Sequence, residues 1–177
     1  VPVVSKMNIE FLPGFFIKNE IRFTPDSVVL TGSQQQLKDI NQWNTEIVYI
    51  SKLNKNIVEM PVALERPKSE MLRLDEGMVR MNLEVEEYTE KIFTVPLRVK
   101  NSDNKVKSIP NKVEVRCVVG LSKFDVLTEE DVELYINLDE SLIKGNFNIA
   151  PISISRLPSF VRHISYEPAA AKFFVLR

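Results

Sequence analysis

The chain has 177 residues, 44% of them hydrophobic, which allows one domain core or two small ones. Its 23 basic and 24 acidic residues leave a net charge of −1, which argues against nucleic-acid binding and against a polybasic patch for anionic lipid. A single cysteine excludes an intramolecular disulfide, and no apolar run approaches the length of a membrane span.

Val1-Pro2-Val3-Val4 already reads as strand interior, and neither an initiator methionine nor a signal peptide precedes it. The chain is therefore expected to be a soluble part of a longer protein. Pro2–Phe11 and Phe15–Phe23 are predicted strands divided by a turn at Leu12-Pro13-Gly14.

The stretch from Phe23 to Ile47 is the most organised. Pro25-Asp26 opens a turn, since proline presets φ and aspartate bonds the backbone that follows. Val28–Leu30 is a short predicted strand, broken by Gly32. Ser33 with Gln36 makes a capping box. Leu37, Ile40 and Trp43 then recur every three residues, the apolar stripe of a short helix packed on a sheet. The sharper reading of Trp43 is an exposed anchor for a partner, because tryptophan is enriched at interface hot spots. Strand character restarts at Ile47–Ile50.

Ser51–Asn56 is a polar loop. Ile57–Leu64 is a predicted strand whose Pro61 requires an edge or a bulge. Turns at Arg66-Pro67-Lys68 and Asp75-Glu76-Gly77 lead to Met78–Glu86. There Val79, Met81, Leu83 and Val85 alternate with Arg80, Asn82, Glu84 and Glu86, the pattern of a half-buried antiparallel strand.

Glu86–Lys91 is the most polar seam and the expected boundary between modules 1–89 and 90–177. Ile92–Val99 is a predicted strand, Asn101–Lys107 a loop, and Val113–Val119 a strand ending at Gly120. Leu121, Phe124 and Leu127 repeat the helical stripe, and Thr128–Asp131 turns into a strand over Val132–Leu138. Several landmarks come twice. Val95-Pro96-Leu97 echoes Val1-Pro2-Val3, and Ile109-Pro110-Asn111 echoes Thr24-Pro25-Asp26. Ala150–Pro158 echoes Met60–Pro67 with one residue inserted, and Lys172–Leu176 mirrors Met78–Glu86. The proline offsets are 96 − 2 = 94, 110 − 25 = 85 and 151 − 61 = 90, the drift expected when loops change length between repeats. The expected fold is mainly β, in two tandem β-rich modules with about one short helix each.

This pattern of a "VP" strand, "P..V.L.G", a short helix, "PV.L..P" and an alternating closing strand resembles the YbbR domain. Phe23–Ile47 and Met60–Glu86 carry the likeness in the first half. Val95-Pro96, Ile109-Pro110, Val119-Gly120-Leu121-Ser122 and Ala150–Pro158 carry it more loosely in the second. The resemblance implies an elongated pair of small β modules. It also implies an N-terminal membrane anchor upstream of this chain and a place outside the cytoplasmic membrane. One branch of that family regulates a membrane diadenylate cyclase, which makes such a cyclase the implied protein partner.

Catalytic chemistry is not expected. Cys117 lies among Val115, Val118 and Val119, the setting of a buried strand thiol rather than a nucleophile. His163, the sole histidine, sits in strand-like Val161–Ile164 and is expected to be partly buried; a hydrolase would need it gathered with serine or carboxylate partners. One histidine and one cysteine leave zinc without ligands, and no phosphate-cradling glycine motif or G-x-S-x-G elbow occurs, so neither metal nor cofactor is expected. Asp125 with Asp131, and Glu129 with Glu130, read as solvated turn residues. Aromatic and basic residues interleave at Phe160–Tyr166, but with too little charge for single-stranded nucleic acid. A related fold binds ribosomal RNA elsewhere, a role the near-neutral charge does not support. The expected function is a non-catalytic interaction or regulatory module, with Trp43, Tyr88 and Phe124 as candidate partner contacts. The alternative is an envelope scaffold or glycan-binding β domain.

Overall fold

The structure, a computed structural model, describes residues 1–102, 105–145 and 148–176. It resolves into two compact units, Val1–Glu87 and Tyr88–Arg177, dividing inside the polar seam. Both are built mainly of strands, as the sequence pattern requires.

Unit 1 consists of β1 (Val3–Val4), β2 (Met7–Phe11), β3 (Phe15–Ile17), β4 (Arg22–Thr24), β5 (Leu30–Thr31), α1 (Gln34–Leu37), β6 (Trp43–Asn44), β7 (Val48–Leu53), β8 (Ile57–Ala63), β9 (Arg73–Leu74) and β10 (Met78–Leu83). Between β2 and β3 the Phe15 N–H bonds the Leu12 carbonyl at 3.0 Å, with Gly14 at φ +84°. Pro13 and Gly14 thus occupy the two central positions of a type II turn, where proline presets the first φ and glycine accepts a positive second one.

The centre of unit 1 is a three-stranded antiparallel sheet in the order β4-β10-β8. β8 is an edge strand, which is how Pro61 is accommodated without losing a ladder bond. On β10 the predicted alternation holds: Val79, Met81 and Leu83 are buried, and Arg80 faces solvent. Val79 and Met81 join Val28, Val62 and Leu64 in a small core. Two parallel pairs flank it, β1 with β6 and β2 with β7.

The predicted helical stripe does not form. α1 ends at Leu37, Ile40 lies beyond it, and Trp43 belongs to β6, opposite Val3. A three-residue period suits one helical turn, but the parallel pairing with β1 claims Trp43. The Trp43 N–H bonds the Pro2 carbonyl at 2.9 Å, a long-range bond that local periodicity cannot anticipate. The capping box at Ser33 and Gln36 is present.

The polar seam that holds the division is strand rather than loop. β11 (Val85–Lys100) runs through it; Val85–Glu87 pair with β3 in unit 1, and Tyr88–Pro96 form a ladder in unit 2. The strand expected over Met78–Glu86 accordingly stops at Leu83 and yields to β11.

Unit 2 adds β12 (Lys105–Ile109), β13 (Lys112–Gly120), α2 (Leu121–Phe124), a 3-10 turn (Glu129–Asp131), β14 (Glu133–Asn137), α3 (Glu140–Lys144), β15 (Ile149–Arg156), β16 (His163–Glu167) and β17 (Ala170–Leu176). It has two short helices where one was expected. Of the expected loop Asn101–Lys107, Asp103 and Asn104 lie outside the described residues, and Lys105–Lys107 opens β12. The strand order is β12-β17-β15-β14-β11-β13-β16. Alternation along β13 and β14 sends Val113, Val115, Cys117, Val119, Leu134 and Ile136 into one core. Leu127 is fully buried there, although it lies past α2 rather than on it, while Leu121 is exposed.

Candidate partner-contact site

Trp43 sits at the edge of the unit 1 core. Its indole packs against the buried cluster, and Nε1–H donates to the Glu65 carbonyl at 2.8 Å. It also lines an open groove of about 480 Å³ with Gln42, Asn44, Glu65, Arg66 and Leu72. Lys6 Nζ donates to Glu65 Oε1 at 2.5 Å, and this bond holds the Glu65 carboxyl below the usual carboxylate range against the opposing effect of desolvation. Trp43 is thus tied into the fold on one side and reaches a polar groove on the other.

Tyr88 and Phe124 both lie in unit 2, but the structure does not join them: Tyr88 and Lys91, which reaches Phe124, are three residues apart on β11 and so face opposite sides of the sheet. Tyr88 pairs with Gly120, the residue that caps α2, and Phe124 ends that helix. Both rings carry a cation. The Arg162 guanidinium lies 5.6 Å from the Tyr88 ring centre, and Lys91 Nζ lies 4.8 Å from that of Phe124. Lys91 also donates to the carbonyls of Phe124 and Leu127, at 2.6 and 2.7 Å, satisfying the open end of α2. Lys123 adds a third pair over Phe160, at 5.7 Å. Sequence reasoning named two of these rings but missed the lysines. The signal was present in Lys91 and Lys123, whose long stems reach an aromatic ring only once β11, β13 and the segment before β16 are paired.

The groups with catalytic potential do not share a face: β13 pairs Cys117 with Ile164 and Val118 with His163, so the two residues are sheet neighbours, with the thiol buried and the imidazole exposed. Cys117 is fully buried on β13, and burial pushes its thiol up. His163, expected to be partly buried, is exposed on β16, because alternation turns Ile164 and Tyr166 inward instead. Asp131 accepts from the Thr128 backbone N–H at 2.8 Å and its hydroxyl at 3.0 Å, which holds its carboxyl low and marks it as a turn cap. Glu129, Glu130 and Glu133 line a groove of about 590 Å³ with Arg98, Lys112 and Arg156. There Arg98 pairs with Glu133 at 3.9 Å, and Arg156 donates to the Glu130 backbone carbonyl. Among the described residues, no group of three or more histidine, cysteine or carboxylate side chains is placed to hold a metal ion.

No family model matches the sequence, and no curated protein matches it. A solved structure of a YbbR-like protein from Streptococcus pneumoniae TIGR4 is similar over 96% of this chain and 91% of that one, at 12% identity and a TM-score of 0.34.

Proposed function

We propose that the chain is a pair of YbbR-like modules that act by protein–protein contact. In this reading it is a regulatory part of a membrane-anchored envelope protein, without catalysis of its own. The observation that carries it is an arrangement found in both units. Each contains a three-stranded antiparallel set of matching order, β4-β10-β8 in one and β12-β17-β15 in the other. In each, the residue after the "VP" proline donates its N–H to the carbonyl of the residue after the second landmark proline. Those bonds run from Val3 to Asp26 and from Leu97 to Asn111, both at 2.8 Å. Each unit then pairs that strand in parallel with a later one, Val3 beside Trp43 and Leu97 beside Leu134. The "VP" prolines and the second landmark prolines are among the positions on which the sequence resemblance to the YbbR domain rests.

The burial of Cys117 and the outward position of His163, on opposite faces of neighbouring strands, support a binding role over a chemical one. The pair of Tyr88 with Arg162 supplies two of the residue types that dominate protein hot spots. The implied partner is a membrane diadenylate cyclase on the same membrane. Crosslinking the longer protein in its own membrane, followed by purification and identification, tests this. Recovery of a diadenylate cyclase at residues near Tyr88 or Phe124 is expected; a partner set without one discards the cyclase role. The second reading is a glycan-binding domain, favoured by the Trp43 groove with its flanking amides Gln42 and Asn44. Titration of the Trp43 fluorescence with wall fragments distinguishes it, because only a glycan site gives a saturable change.

A further inference from the structure

Charges that cancel over the whole chain do not cancel on one face of unit 2. β12, β17 and β15 lie side by side, and their registers fix which side chains share a face. Lys105 stands opposite Leu176 and Lys107 opposite Phe174, while Lys172 lies between Ile109 and Ile149. All seven are exposed. Phe174 is 44% exposed, and Ile109, Leu176 and Ile149 exceed half. The alternate residues Ser108, Ala150, Ala171 and Phe173 are buried. None of the three strands contains a carboxylate. Among the described residues, no ion pair engages the three lysines.

Lysines on an edge strand ordinarily guard against sheet-to-sheet pairing. That accounts for Lys105 and Lys107 on β12. It does not account for Lys172 or Phe174, which stand on β17, a strand paired on both sides.

We propose that this face docks on the surface of an anionic lipid bilayer. The four apolar side chains enter the interfacial layer, and the lysine stems lie along them and lift their ammonium groups to the lipid phosphates. A protein partner is the poorer fit. Protein interfaces favour tyrosine, tryptophan and arginine and are depleted in lysine, whereas lysine is the only polar side chain among these seven positions. The proposal stands apart from the cyclase reading and needs no anchor elsewhere in the protein.

The test is co-sedimentation of the full chain with phosphatidylcholine vesicles prepared with and without phosphatidylglycerol. Binding is expected only with phosphatidylglycerol, and it should weaken as salt rises. Each lysine near such a surface strengthens binding about fivefold, so the combined Lys105→Gln, Lys107→Gln, Lys172→Gln variant should bind about a hundredfold more weakly. Phe174→Ser should also weaken binding while leaving the far-ultraviolet circular dichroism intact, because its side chain faces outward. The same charge change in unit 1, Lys18→Gln with Lys38→Gln and Lys55→Gln, should leave binding within about twofold. Failure to bind phosphatidylglycerol vesicles overturns the proposal, as does an equal loss from the unit 1 set. Concentration-dependent dimerisation without lipid, abolished by Phe174→Ser, also overturns it by assigning the face to a second copy.

Discussion

Trp43→Ala is expected to destabilise unit 1 by about 3 kcal/mol, the low end for loss of a large aromatic side chain, because the indole is only partly buried. The ring packs against a core of few buried residues, so little surrounding structure can collapse into the space. About 1 kcal/mol of the loss belongs to the bond between Nε1–H and the Glu65 carbonyl. Trp43→Phe keeps most of the packing and forfeits that bond, so its cost should be about 1 to 1.5 kcal/mol. Urea unfolding followed by far-ultraviolet circular dichroism is the assay, since both variants lack the sole tryptophan. For a unit of this size, each kcal/mol moves Tm by roughly 4 to 8 °C, so the alanine variant should melt about 12 to 24 °C lower. If both variants stay within about 0.5 kcal/mol of the parent while partner capture is lost, the packing argument is wrong and Trp43 is an exposed anchor.

Leu134→Ala removes a fully buried side chain where β14 meets β11 and β15, and should cost unit 2 about 3 kcal/mol by the same assay; a cost below about 1 kcal/mol contradicts the core assignment. Cys117, buried and with its thiol pushed up, should resist thiol reagents in the native chain and react only through unfolding. Rapid stoichiometric labelling without denaturant would show that β13 opens locally. Gly14→Ala should cost about 1 kcal/mol through its positive φ alone, because a Cβ there meets nothing within 4 Å; an unchanged stability rejects the type II turn. The Glu65 carboxyl is held low, so its pairing with Lys6 stabilises unit 1 fully above the ordinary carboxylate range, and that contribution is lost as the pH falls from there through the lowered folded value. Glu65→Gln should shrink that acid-side loss by less than about 1 kcal/mol, since both partners are well exposed; an acid limb identical to the parent's refutes the assignment.

Much of the sheet was legible in the sequence because side-chain alternation reports burial directly. Val79, Met81 and Leu83 fall inward as their spacing requires, Pro61 lies on an edge strand, and the turn at Pro13-Gly14 has the residues its dihedrals demand. The failures share a cause. Trp43 fits a helical stripe locally but is claimed by a ladder with Val3, forty residues upstream. Glu86–Lys91 holds the division between the units, but its polarity does not reveal that its backbone groups pair with β3 and β13. In each case a long-range pairing outweighed local preference. The candidate site was half legible. Aromatic rings stand out in a sequence, but Lys91 and Arg162 reach Phe124 and Tyr88 only through strand pairing. The lysine face of unit 2 was hidden for a different reason, since a net charge of −1 averages over surfaces that are locally cationic.

The most direct test of the proposed regulatory role is the rate of cyclic di-AMP synthesis by membranes that hold a diadenylate cyclase, measured with and without the protein that carries this chain. A change in rate that is lost on combined Tyr88→Ala and Phe124→Ala substitution, with the fold retained, is the expected result. A rate that is the same with and without the protein, at levels that saturate the membrane, contradicts the cyclase role.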